Sequence, residues 1–281
     1  MSSRRETIRT IAASLTRIYT QREAEAAARI LISEREGVSL SHLLAYADEE
    51  CAIPQRQIET DTARLAAGVP LQYLLGHCEF CGLDFEVGEG VLIPRPETEE
   101  LVAAVLQKTT PDAAILDLCT GSGCIAVALA KRMKGGTVTA ADISEKALGY
   151  ARRNALRNAV EVEFAEWDIF REPPFGNGRT FDAIVSNPPY IPASEKSSMS
   201  VNVTTYEPHE ALFVPDAEPL LFYRRIAKLG HTLLRDGGSL CFEVHERLAG
   251  DTAAMLAAEG YRDAEIIEDV NLKPRIVCCR K

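Results

Sequence analysis

The sequence has no apolar run that approaches the length of a membrane-spanning helix. Its first residues, MSSRRETIRT, carry charge with no apolar stretch behind them, so no secretory signal is read there and the cytoplasm is the expected compartment. No internal repeat or low-complexity tract is apparent. An excess of basic charge is also missing: 41 acidic residues face 31 basic ones, a net charge of −10. Proteins that bind nucleic acid draw affinity from phosphate neutralisation, so this balance argues against DNA or RNA as the substrate, although a local basic patch stays possible. The eight cysteines, at 51, 78, 81, 119, 124, 241, 278 and 279, have no framework spacing. Several sit in apolar runs as small core residues. Cys78 and Cys81 make a single CxxC with no second pair and no ligand cluster nearby, which reads as two reduced thiols in a hairpin, and no metal is expected.

What is present begins with helices. Ile8, Ile11, Ala12, Leu15, Ile18 and Tyr19 fall at helical spacing, Glu23 to Ser33 is alanine-rich, and Leu40, Leu43, Leu44 and Ala47 continue the pattern. Gln55 to Ala67 adds another amphipathic segment, and Gly37, Pro54, Gly68 and Pro70 punctuate the series. Residues 1–75 therefore predict a bundle of four or five helices. From 76 to 95 the texture is that of short strands: Phe80 to Val87, and then Val91 to Ile93 after Gly88 and Gly90. This predicts a hairpin linker, and Thr98 or its acidic neighbours start the next helix.

Residues 96–281 alternate strands and helices. Strands are expected at 114–118, 138–141, 162–165, 181–186, 239–244, 264–268 and 275–280, with helices at 124–133, 144–158 and 220–234 among them. The alternation makes an α/β domain with a mostly parallel, seven-stranded sheet. Ligands of such sheets bind beyond the carboxyl ends of the strands. After the first of these strands comes Asp117-Leu-Cys-Thr-Gly-Ser-Gly123, where glycines let backbone approach a ligand. After the second comes Asp142, suited to a ribose diol. The loop lacks the GxGxxG pattern that seats a pyrophosphate, which favours S-adenosylmethionine over NAD. Asp168, after the third strand, is either near the adenine edge or simply an exposed loop acid. The single tryptophan, Trp167, is either core or a wall of the donor pocket.

The fourth strand ends in Ser186-Asn-Pro-Pro-Tyr-Ile191. Asn187 Oδ1 and the Pro188 carbonyl can accept the N–H groups of an amide or aromatic amine and orient its nitrogen toward a methyl donor. Tyr190 can lie against the planar group. Two successive prolines stiffen the loop, and no strong general base is needed. His77, His209, His231 and His245 are scattered and read as structural or surface residues. Glu207 and Pro208 read as shaping the region below the site, and Arg95 and Glu97 as fastening the linker to it.

These motifs together resemble the release-factor glutamine N(5)-methyltransferases, the HemK/PrmC family of class I methyltransferases. The resemblance spans nearly the whole chain and rests on Pro70-Leu-Gln-Tyr-Leu-Leu-Gly76, Leu92-Ile-Pro-Arg-Pro-Glu-Thr-Glu99, Asp117 to Gly123, Asp142-Ile-Ser144, Ser186 to Ile191 and Tyr206-Glu-Pro208. NPPY alone is shared with adenine methyltransferases, whereas LIPRPETE is specific. The resemblance implies a Rossmann-like sheet, S-adenosyl-L-methionine as methyl donor, and the GGQ glutamine of class I peptide chain release factors as acceptor. It implies a donor site of Cys119, Thr120, Gly121, Ser122, Gly123, Asp142, Asp168, Ile169 and Asn187. It also implies a glutamine site of Asn187, Pro188, Pro189 and Tyr190, and a helical domain that helps hold the release factor. The protein is expected to be a monomer that needs neither membrane nor direct contact with nucleic acid. Three positions depart from the family pattern. Cys119 stands where many members have glycine, which ordinary dihedrals would accommodate; Cys81 stands where an aromatic is common; Ile169 replaces an aromatic, which weakens adenine stacking. The alternatives are a nucleic-acid amino methyltransferase, a non-catalytic module that keeps the donor fold, and an NAD-dependent oxidoreductase.

Overall fold

Two serine/threonine capping boxes set the first helices. In the computed structural model, which describes residues 2–175 and 178–281, Ser3 and Glu6 cap α1 (Arg4–Leu15), and Thr20 and Glu23 cap α2 (Gln21–Glu36). The helices α3 (Leu40–Ala45), α4 (Gln55–Ala66) and α5 (Leu71–Leu75) follow, with Pro54 and Pro70 immediately before the last two. Ile11, Leu15, Ala28, Leu31, Ile32, Leu43 and Leu65 are buried together, so the apolar spacing seen in the sequence is the inner face of this bundle.

The strands β1 (His77–Phe80) and β2 (Leu83–Glu86) form the hairpin. Cys81 and Gly82 between them have φ of +54° and +70°, the positive pair that a two-residue type I′ turn demands. Phe80 and Phe85 pack edge to face and are fully buried against Leu101, Val102 and Ile125. Val91 to Ile93, expected as a strand, is irregular. The run is short, bracketed by Gly90 and Pro94, and β1 pairs only with β2, which leaves it no ladder to join. Val91 and Ile93 are nonetheless buried.

Next come α6 (Thr98–Lys108), β3 (Ala114–Leu118), α7 (Cys124–Arg132), β4 (Thr137–Asp142), α8 (Glu145–Arg157), β5 (Glu163–Glu166), β6 (Phe181–Ser186), β7 (Ile191–Pro192), α9 (Val201–Tyr206), β8 (Phe213–Val214), α10 (Leu221–Leu233), β9 (Leu234–Glu243), α11 (Ala249–Ala258), β10 (Arg262–Glu268) and β11 (Pro274–Arg280). Seven strands make one sheet in the order β10-β11-β9-β6-β3-β4-β5. The five strands from β9 to β5 are parallel; β11 alone runs against them, and β10, paired antiparallel with β11 at the edge, returns to their direction. The central strands are buried on both faces, and successive residues go to opposite sides. Ile115, Ala183 and Val185 pack with α6 and α7; Leu116, Ile184 and Leu240 pack with α10 and α11.

The chain divides into two units, one of Met1–His77 with Ser198–Glu207, the other of Cys78–Ser197 with Pro208–Lys281. The sequence reading kept 198–207 in the second. Within the first unit Asn202 Nδ2 donates to the Tyr19 hydroxyl and Tyr206 OH donates to the Ala67 carbonyl at 3.1 Å, bonds that no sequence spacing announces. Among the described residues, no helix is long and apolar enough to cross a membrane.

Candidate active site

The strand order reverses at β3, whose neighbours β4 and β6 are reached in opposite directions along the sheet. Beyond these carboxyl ends, within the second unit, lies a cavity of about 350 Å³, the size of a small-molecule site.

The loop after β3 forms one wall. Asp117 on β3 is fully buried, and its Oδ2 accepts from Thr120 Oγ1 at 2.5 Å. Burial pushes its carboxyl up to about 7. Cys119, Gly121 and Gly123 all have positive φ, +60°, +56° and +78°. The idea that ordinary dihedrals accommodate Cys119 is thereby corrected: the loop reverses through three left-handed residues, and Cys119 carries the strain that glycine would not. A Cβ on Gly123 would come within 2.9 Å of the Ala151 Cβ on α8, so close packing excludes any larger residue there.

Asp142, the last residue of β4, accepts from the Gly121 N–H at 2.8 Å and the Ser144 N–H at 2.9 Å. Its carboxylate is thus anchored to both the glycine loop and the start of α8. Burial raises its pKa, against the pull of those backbone donors. Asn154 of α8 braces the same region, donating to Ser122 O at 2.9 Å and accepting from Glu86 N at 2.7 Å. This mid-helix asparagine was not singled out in the sequence.

Opposite, Trp167, Asp168 and Ile169 line the cavity after β5. Trp167 is buried, and its Nε1–H finds no hydrogen-bond partner among the described residues. Asp168 Oδ1 accepts from the Phe170 N–H at 2.9 Å. Phe170 and Phe222 meet edge to face at 5.4 Å, and both reach the wall. They supply the aromatic surface that Ile169 does not.

Asn187 follows β6 directly and lies on the wall with Pro189. Its Nδ2 donates to Thr98 Oγ1 at 3.4 Å. Thr98 in turn donates to Glu243 Oε2 at 2.5 Å, and Tyr190 OH donates to Glu243 Oε1 at 3.0 Å. Of the residues expected in the site, Cys119, Thr120, Gly121, Ser122, Asp142, Asp168, Ile169, Asn187 and Pro189 line the cavity; Gly123, Pro188 and Tyr190 do not. Gly123 is taken up by its contact with α8, and the Tyr190 hydroxyl is turned to Glu243. The wall also includes Leu92, Pro94, Arg95 and Thr98 from the LIPRPETE segment, and Ile125, Ile143, Pro208 and Glu210. Cys78 and Cys81 stand in the hairpin, where burial pushes their thiols up to about 12 and about 11, so both stay protonated at neutral pH.

Two family models match the chain: the PrmC N-terminal domain over residues 6–76 and the Methyltransferase small domain over residues 97–207. A release factor glutamine methyltransferase of Bacteroides thetaiotaomicron is 43% identical over 95% of this chain and 96% of its own length. The chain belongs to the release factor glutamine methyltransferase family. A second member, from Flavobacterium psychrophilum, is 37% identical over 94% of each chain. A methyltransferase of Pyrococcus furiosus with a solved structure shares the fold, with a TM-score of 0.53 at 20% identity, covering 79% of this chain and 98% of that one. Leu92, Arg95 and Thr98 on the cavity wall come from the LIPRPETE segment singled out in the sequence. Glu243 carries no such mark in the sequence: it ends an apolar strand, and only the fold brings it beside Asn187.

Proposed function

We infer that this protein transfers a methyl group from S-adenosyl-L-methionine to the side-chain amide nitrogen of the glutamine in the GGQ motif of class I peptide chain release factors. The observation that carries the reading is the placement of Asn187, followed by two prolines, on the wall of the same cavity as the glycine loop and the anchored Asp142 carboxylate. The donor, when bound, supplies an electrophilic methyl group on a sulfonium.

The chain's own residues fit such a donor. Asp142 keeps lone pairs for a ribose diol after accepting its two backbone bonds. Gly121 and Ser122 bring backbone close to the ligand, and Phe170 with Phe222 gives an apolar edge for a purine. Arg95 lines the same cavity.

The acceptor is a primary amide, a weak nucleophile because its lone pair is delocalised. Asn187 Oδ1 and the Pro188 carbonyl take its N–H groups, fix the nitrogen toward the methyl and receive the charge that builds on those hydrogens. Pro188 and Tyr190 flank the wall residue Pro189 and belong to the glutamine's side of the loop. The helical unit holds the release factor, the protein acts as a monomer in the cytoplasm, and neither nucleic acid nor membrane takes part.

The test mixes the protein with labelled S-adenosylmethionine and, in parallel, unmodified release factor, its GGQ glutamine-to-alanine version, DNA and RNA. Label confined to the intact release factor, mapped by mass spectrometry to that glutamine, is expected. Label on nucleic acid would overturn the substrate. Asn187→Ala is expected to bind the donor and lose most turnover, a drop of roughly 100-fold or more for a lost orienting acceptor. Retained turnover would remove the role given to Asn187.

A further inference from the structure

An asparagine amide has two ends of nearly equal shape and opposite hydrogen-bonding sense. For Asn187 to hold a glutamine N–H it must present oxygen. With nitrogen outward, two NH2 groups would face each other. Something in the fold has to choose, and the choice must survive each turnover.

Glu243 is the last residue of β9 and is almost fully buried, at 2% exposure. The pairing of Ser186 with Phe242 in the parallel β6–β9 ladder puts Glu243 alongside Asn187. Its carboxylate accepts from two hydroxyls, Thr98 at 2.5 Å on Oε2 and Tyr190 at 3.0 Å on Oε1. A threonine hydroxyl has a single proton. Thr98 gives it to Glu243, so the oxygen it shows to Asn187 has only lone pairs. That oxygen can accept from Nδ2, as it does at 3.4 Å, and cannot donate to Oδ1. The nitrogen end is thereby tied to Thr98 and the oxygen end is directed away from it.

We propose that Glu243, acting through Thr98, is a positioning residue that selects the amide orientation of Asn187, while its second oxygen holds Tyr190 and so the far end of the NPPY loop. The proposal rests on the reading of Asn187 as the acceptor of the substrate amide. Neither Glu243 nor Thr98 takes part in bond making; the pair orders a hydrogen-bond sense. A glutamine at 243 can donate from its amide to Thr98, which frees the threonine proton to seek Asn187 Oδ1 and turns the asparagine round.

The test uses the full-length protein with labelled S-adenosylmethionine and unmodified release factor. Thr98→Val keeps the shape and removes the relay, Thr98→Ser keeps the relay, and Glu243→Gln reverses its sense. We expect Thr98→Val and Glu243→Gln to lower kcat by roughly 10- to 100-fold, the scale of a misoriented reacting group, with KM for the release factor and the calorimetric affinity of Glu243→Gln for S-adenosylhomocysteine unchanged. Thr98→Ser should restore turnover, and Thr98→Val should add no further loss in an Asn187→Ala background. Thermal unfolding checks each variant, and if Glu243→Gln does not fold, the valine and serine pair decides. Wild-type turnover in Thr98→Val beside an inactive Asn187→Ala would overturn the positioning role and leave the Asn187 reading standing. Wild-type turnover in Asn187→Ala would overturn that reading and this proposal with it.

Discussion

Cys119 shows how one side chain in the glycine loop works against its own backbone. Its φ of +60° belongs to glycine territory, and an L residue there costs on the order of 1 kcal/mol. Cys119→Gly relieves that strain but gives up a half-buried thiol and adds chain entropy to the unfolded state, so its own net effect is small. Cys119→Ala gives up the thiol and keeps the strain. The glycine variant should therefore be more stable than the alanine variant, by about 1 kcal/mol in denaturant unfolding. The reverse order would mean that the loop does not need the left-handed turn. Asp117, two residues earlier, sets a pH dependence. Its carboxyl is raised from near 3.8 to about 7 by burial, so the folded state holds a proton that the unfolded state releases. Stability from this group is full below about 4 and is lost as pH rises through about 7, on the order of 4 kcal/mol in all. Asp117→Asn has no proton to lose. Wild-type stability should fall relative to Asp117→Asn across that window when unfolding is followed at a series of pH values, and parallel curves would show that the carboxyl titrates normally.

Elements with a strong period or a turn signal were legible in the sequence, and those defined by contact were not. β3 and β6 were expected over the residues they occupy because each is an apolar run buried on both faces. α11 has no such signal: half of it is alanine, and its buried residues Ala249, Thr252, Met255 and Leu256 give a weak apolar stripe. Val91 to Ile93 was overread because β-branched residues suggest a strand even where no partner strand exists. The candidate site divides in the same way. Asn187, Asp142 and the glycine loop stand at strand ends in recognisable patterns, whereas Glu243, Asn154 and Phe222 reach the site only through long-range folding. The hairpin is the element whose turn chemistry can be tested. A Cβ on Gly82 would meet nothing within 4 Å, so Gly82→Ala isolates the backbone cost of its φ of +70°. That variant should lose roughly 1 kcal/mol. Cys81→Asn, which suits the first position of a type I′ turn, should gain a few tenths. Chemical denaturation of both reads the difference, and equal midpoints would rule out the type I′ assignment.

On the scale of the whole molecule, the chain crosses from one unit to the other more than once. It leaves the second unit at Ser198, contributes α9 to the first, and re-enters the second at Pro208. Pro189 and Pro208, both on the cavity wall, belong to the second unit. The sequence places the helical domain wholly before the 76–95 linker because amphipathic patterning is local, while α9 is held by Tyr19 and Ala67, which are 183 and 139 residues distant from their partners. Asn202 is buried, and its Nδ2 donates to the Tyr19 hydroxyl. Tyr19→Phe removes that acceptor and keeps the ring, so a buried amide donor is left unpaired at a cost of about 1–3 kcal/mol. Hydrogen exchange followed by mass spectrometry should show faster exchange across 198–207, with β3, β4 and β6 keeping their protection, because the loss falls on one contact of α9 and on none in the sheet. Adding Asn202→Leu to Tyr19→Phe replaces both polar partners and should recover part of the lost stability. Unchanged exchange in 198–207 in the single variant would mean that the Tyr19 bond does not hold α9 in place.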